Sequence, residues 1–226
     1  MISEKMKGFI SGSSAIRAMF IEGKRLASIY GAENVYDFSL GNPSVEPPES
    51  VKNAIIDILN KEEPNFIHGY TDNSGYEDIR QYVADETNKE FGTNFSYKNV
   101  VMTTGAAAAL NVILKTILNP ADEVIVFAPF FGEYNNYIKN YDGKIVVVPA
   151  NTKTFQPDLT AFEKLVTEKT KAVIINSPNN PTGVIYTEET IKKLSEILNN
   201  KQAQFNTEIY LISDEPYRRL VYDDIE

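Results

Sequence analysis

A carboxylate and a phenol three positions apart, Asp214 and Tyr217, follow the apolar run Ile209 to Ser213. At the end of a strand such a pair could hold a cationic ring nitrogen and an adjacent oxygen, the first by charge and the second by a hydrogen bond. A second polar cluster, Asn176-Ser177-Pro178-Asn179-Asn180-Pro181-Thr182-Gly183, also follows an apolar run. Its turn formers read as a loop, yet three Asn and two Pro in eight residues exceed what one turn needs. Asn side chains there would present both donors and acceptors. Thr103-Thr104-Gly105-Ala106-Ala107 opens into an Ala-rich helix. Free amides, small side chains and the positive end of the helix dipole would suit an anion, although a tight strand-to-helix turn wants the same residues. Pro129-Phe130-Phe131-Gly132 offers two rings, of which one could stack on a planar ligand, although an aromatic pair taken alone is more often core.

These four segments share a position, because each follows a predicted strand. The runs Val100 to Thr103, Glu123 to Ala128, Lys144 to Pro149, Ala172 to Asn176 and Ile209 to Ser213 are rich in Val and Ile. They alternate with helical patterns over Gly75 to Phe91, Ala106 to Leu118, Gly132 to Tyr141, Leu159 to Thr167 and Glu188 to Asn199. Strands buried on both faces need such runs, so the expected class is α/β, a mostly parallel sheet flanked by helices. In open sheets of this kind ligands collect beyond the carboxyl ends of the strands, where the four polar or aromatic loops fall.

The amino-terminal part keeps a different rhythm. A helix is expected from Ser13 to Tyr30, with the serine pair as its cap and Gly31 as its stop. A short strand is expected over Val35 to Leu40, a helix from Pro48 to Lys61, and irregular chain from Glu62 to Ser74. Residues 1–45 are therefore read as an arm and the start of a smaller domain, and 46–226 as the beginning of a large one.

Composition narrows the chemistry further. With 226 residues, 42% hydrophobic and 23% charged, the chain can bury a substantial core. A net charge of -9 opposes binding to a phosphate backbone. No Cys and one His exclude a thiol nucleophile, a disulfide scaffold, a zinc ribbon and a multi-His metal centre. His68 and the acidic run Asp223-Asp224-Ile225-Glu226 read as packing or solvated residues, while Arg17 could meet the carboxylate of a ligand or belong to a solvated helix face. Neither a signal peptide nor an apolar run of about eighteen residues is visible, so the expected location is the cytoplasm.

Taken together, the motifs resemble the class I and II aminotransferases, which are fold-type I pyridoxal-phosphate enzymes. Asn176 to Gly183 is similar to the family's Asn-x-Pro-x-Asn-Pro-Thr-Gly signature. Asp214-x-x-Tyr217, the Gly105 turn, Pro129-Phe130-Phe131 and the stretch Tyr70, Gly75, Ile79-Arg80 stand in the family's order. The resemblance implies that pyridoxal 5′-phosphate is the cofactor and that residues 46–226 begin the domain binding it. Gly105, Ala106 and Ala107 would cradle the phosphate, Phe131 would stack on the pyridine ring, and Asp214 would pair with the ring nitrogen. Asn180 and Tyr217 would bond the phenolic oxygen. Tyr70 would reach the cofactor of a neighbouring subunit, implying a homodimer, and Gly41 with Asn180 would lie beside the substrate carboxylate.

The same resemblance calls for a Schiff-base lysine beyond the Asp-x-x-Tyr strand. No lysine of these 226 residues stands in the family's Ser-x-x-Lys context. The chain is thus expected to carry the amino-terminal portion of an aminotransferase, without catalytic activity by itself, the lysine lying beyond Glu226. Amino acids and 2-oxo acids are the implied substrates. A lyase of the same fold and a truncated, non-catalytic binding module are the alternatives, and the substrate amino acid is open.

Overall fold

The structure is a computed structural model that describes residues 1–11, 15–38, 41 and 45–222, with the side chains of residues 10, 11 and 15–17 outside that description. The expected Ser13 cap, the end of the expected strand at residues 39–40, Asn42 and Pro43, the Arg17 side chain and the acidic run 223–226 therefore lie outside the described residues. The chain divides into two compact units, Met1–Thr71 and Asp72–Glu226.

The first unit is helical. Its elements are α1 (Glu4–Ser11), α2 (Ala15–Tyr30), α3 (Glu49–Lys61) and α4 (Pro64–Ile67). None of its described side chains is buried, and α3 leaves Val51, Ile55, Ile58 and Leu59 exposed. The strand expected over Val35 to Leu40 does not form within the described residues 35–38, where Tyr36 and Phe38 are exposed and no ladder partner is present. Alternating apolar residues favour extended backbone, but a strand needs a neighbour to accept its hydrogen bonds.

The second unit carries the sheet. Helix α5 (Glu77–Phe91) ends at Gly92 in the left-handed conformation, as a helix stop requires. α6 (Ala106–Ile117) precedes β1 (Glu123–Phe127), and α7 (Tyr134–Asn140) leads to β2 (Lys144–Val148). α8 (Leu159–Leu165) leads to β3 (Thr170–Asn176), and α9 (Glu188–Phe205) to β4 (Tyr210–Asp214). The side chain of Asp158 accepts the Ala161 amide at the start of α8, and Thr187 accepts that of Thr190 at the start of α9. α9 runs past the expected end at Asn199, because Lys201, Gln202 and Ala203 all favour helix, and stops at left-handed Asn206.

All pairings are parallel, in the order β2-β1-β3-β4. Successive residues of each central strand point to opposite faces, and both faces are covered. Ile125, Phe127, Val173 and Ile175 pack with Phe162, Leu194 and Leu198 of α8 and α9. Val124, Val126, Ala172 and Ile174 pack with Leu110, Leu114, Tyr134 and Ile138 of α6 and α7. That double burial is why Val124 to Phe127 of β1 reads as an unbroken apolar run.

The run Val100 to Thr103 is not a strand. The Met102 amide bonds the Ser74 carbonyl at 2.9 Å, while Val101 and Met102 remain exposed. Buried Arg80 braces this region, donating to the carbonyls of Gly75 at 3.0 Å and Tyr97 at 3.1 Å. No described helix is long and apolar enough to cross a membrane.

Candidate active site

Strand β4 ends on Asp214 and strand β3 on Asn176, paired directly across the sheet. The loops that follow turn back over the carboxyl edge, where a cavity of about 220 Å3 opens. Ala106, Ala107, Phe131, Asn180, Asp214 and Tyr217 line it, together with Leu110, Tyr137, Asn176 and Pro216. Sequence-predicted residues from α6, from the loops after β1 and β3, and from the end of β4 with the turn after it are thus gathered at one place.

Gly105 caps α6 with φ 90 and ψ 170, a conformation that residues with a Cβ avoid. Its carbonyl accepts the amides of Ala108 and Ala109. The amides of Ala106 and Ala107 have no acceptor among the described residues, so they and the helix dipole offer an anion site. No Lys or Arg lines the cavity among the described residues, so the positive potential there comes from the helix end.

Asp214 is held from two sides. The hydroxyl of Tyr134 donates to Oδ2 at 2.5 Å, and the Asn176 side-chain amide donates to the Asp214 backbone carbonyl at 2.7 Å. Oδ1 of Asp214 has no donor among the described residues. Burial, reinforced by the bond to Asp214 and its charge, pushes the Tyr134 hydroxyl far above the usual tyrosine range, so it remains a donor. Tyr137 is shifted the same way by burial and by the carboxylates of Glu133 and Asp214.

The polar loop after β3 is knit internally. Buried Asn179 accepts the amide and hydroxyl of Thr182 through Oδ1, and its backbone pairs with Gly183 and Val184. Asn179 is therefore a scaffold, while Asn180 faces the cavity, where its side-chain amide donates to the Tyr217 hydroxyl at 3.3 Å. The Asn180 backbone amide is fixed by Asn176 Oδ1 at 2.6 Å.

The two phenylalanines separate. Phe130 stacks on Tyr134, with ring centroids 6.4 Å apart and planes 6° apart, on the core side. Phe131 meets the Tyr134 ring edge-on at 5.6 Å and lines the cavity. Gly41 and Tyr70 belong to the first unit, and both are exposed.

Tyr134 and Tyr137 were not among the residues expected at the site. Their spacing of three, beginning three residues after Phe131, places both on one side of a helix and was the available signal.

A parallel sheet covered by helices, with a ligand-sized cavity at its carboxyl edge and an open helix amino terminus beside it, defines an α/β ligand-binding domain. The family model described as Aminotransferase class I and II matches residues 33–226, and the chain belongs to that family. An aspartate aminotransferase of Thermotoga maritima is 37% identical over 209 residues, covering 92% of this chain and 53% of that one. The crystal structure of an amino transferase from Eubacterium rectale matches with a TM-score of 0.94 at 43% identity, over 100% of this chain and 57% of its own. An aspartate aminotransferase from Thermus thermophilus with maleate matches with a TM-score of 0.84 at 28% identity, over 99% and 55%. The chain spans about half the length of the curated relatives it matches.

Proposed function

We propose that these residues form the cofactor-binding part of a pyridoxal 5′-phosphate-dependent aminotransferase, which moves an amino group between an amino acid and a 2-oxo acid. One observation carries this reading: a free carboxylate oxygen, an aromatic ring, an amide-phenol pair and an open helix end all line a single cavity.

The donors and acceptors present match the cofactor's groups. A phosphate needs N–H donors without bulk in front of them, which Gly105, Ala106 and Ala107 provide. A protonated ring nitrogen needs an acceptor, and Oδ1 of Asp214 has no other donor among the described residues. A phenolic oxygen needs donors. Asn180 gives an amide, and Tyr217, which accepts from Asn180, keeps its own hydroxyl proton for a further bond. Phe131 supplies the face on which a planar ring stacks.

When bound, the cofactor supplies an electron sink that stabilises negative charge at the substrate's α carbon. The residues of this chain support that sink. Asp214 holds a proton on the ring nitrogen, Asn180 and Tyr217 restrain the ring oxygen, and Phe131 excludes water from one face. Asn180 is assigned to the substrate carboxylate. Exposed Tyr70 is assigned to the phosphate site of a second subunit in a cytoplasmic homodimer. The lysine that anchors the cofactor covalently is assigned to sequence beyond Glu226.

The names of the relatives in Thermotoga and Thermus support aspartate as the first substrate to assay. The test uses the protein encoded by the complete reading frame that contains these residues. Formation of glutamate from 2-oxoglutarate with aspartate as amino donor is the expected result. Ammonia release without amino transfer would favour the lyase alternative, and neither activity across the common amino acids would contradict the proposal.

A further inference from the structure

Tyr134 begins α7 with its side chain essentially excluded from solvent, and it touches two of the groups assigned to the cofactor. Its hydroxyl donates to Oδ2 of Asp214 at 2.5 Å, across 80 positions of sequence. Its ring packs edge-on against Phe131 at 5.6 Å and is stacked from the core side by Phe130. Phe131 is comparatively exposed, so the buried Tyr134 ring backs a more open one. Asp214 is the last residue of β4, and the backbone ladder bonds do not orient its carboxylate.

We infer that Tyr134 is a positioning residue of this site, one buried side chain that orients the Asp214 carboxylate and the Phe131 ring relative to each other. Fixing Oδ2 leaves Oδ1, which has no donor among the described residues, as the acceptor that would take an N–H carried by a planar ligand. The inference rests on the cofactor reading above. Its consequence is specific, because the hydroxyl acts only on ligands that present a ring N–H to Asp214, whereas the ring acts on any planar ligand.

Dissociation constants for pyridoxal 5′-phosphate, and for its deaza analogue in which C–H replaces the ring nitrogen, test this in the protein of the complete reading frame that contains these residues and in its Tyr134→Phe variant. Loss of a hydrogen bond to a charged group predicts that the variant binds the cofactor about tenfold more weakly. The deaza analogue should bind the variant and the parent protein alike. Asp214→Asn approaches the same pair from its other member, and adding Tyr134→Phe to it should weaken cofactor binding no further.

Equal weakening toward both ligands would overturn the inference, since it would mark Tyr134 as packing alone. Unchanged cofactor binding in Tyr134→Phe would overturn it as well. If the parent protein of the complete reading frame binds neither ligand, the cofactor reading fails and takes the inference with it. Binding by the parent without the difference between ligands removes only the positioning role. Thermal unfolding of each variant separates these outcomes from loss of fold, and Asp214→Asn leaves the buried Tyr134 ring in place.

Discussion

Asn176, the last residue of β3, donates its side-chain amide to the backbone carbonyl of Asp214, the last residue of β4, at 2.7 Å and in direct register. The oxygen of the same side chain accepts the Asn180 amide at 2.6 Å. One buried residue therefore ties together a strand end and a loop, each carrying a group that lines the cavity. Asn176→Leu keeps the approximate volume but leaves the partly buried Asp214 carbonyl and Asn180 N–H without partners. Unpaired polar groups of this kind cost about 1–3 kcal/mol each. Urea unfolding should show a lower midpoint at unchanged slope, with a total loss of about 2–4 kcal/mol.

Gly105 is required by its conformation and not by crowding. A Cβ built there meets nothing within 4 Å, but φ 90 with ψ 170 lies in a region that only glycine adopts easily. Gly105→Ala should cost about 1–3 kcal/mol, or else release the turn and misalign the Ala106 and Ala107 amides. Thermal unfolding combined with phosphate-dependent amide shifts distinguishes these two results. A variant unchanged in both stability and anion response would show that the turn tolerates a side chain.

Glu123 controls stability in acid. Burial alone would raise its pKa, yet the Thr167 hydroxyl at 2.7 Å and the Lys144 ammonium at 3.0 Å hold the carboxyl below the ordinary glutamate value. A carboxyl that is a stronger acid in the fold stabilises it above the unfolded pKa, and this contribution is lost as pH falls through the folded value. Glu123→Gln should therefore be less stable than the parent at neutral pH, by about 1–2 kcal/mol. The two unfolding curves should converge as pH drops below the ordinary range. A difference that is constant with pH would contradict this account.

Tyr186 acts at the other limit. Burial pushes its hydroxyl up to about 12, and its ring packs edge-on against Phe127 at 6.4 Å. Its neutral form thus stabilises the fold below the unfolded pKa of about 10, and that contribution fades as pH rises toward 12. Tyr186→Phe should flatten the alkaline limb of the stability profile between those values. Chemical denaturation across that range reads the effect directly.

The cores of β1 and β3 were legible in the sequence because strands covered on both faces must be apolar without interruption, as Val124 to Phe127 and Ala172 to Ile175 are. The loops at their ends were legible for a related reason, since Asn180, Asp214 and Tyr217 are polar where packing does not ask for it. Val35 to Leu40 and Val100 to Thr103 carry the same local preference, but pairing depends on a partner strand that local sequence does not reveal. Tyr134 was hidden by its own chemistry. A tyrosine at the start of an amphipathic helix reads as core, and the 80-residue separation from Asp214 is visible only after the sheet has formed.

Amide NMR of the chain during titration with pyridoxal 5′-phosphate tests the central claim most directly. Saturable binding of one cofactor is expected, with the largest shifts at Gly105, Ala106 and Ala107 and weaker binding in Asp214→Asn. Saturation that leaves those three amides unmoved, or no saturable binding at all, would contradict it.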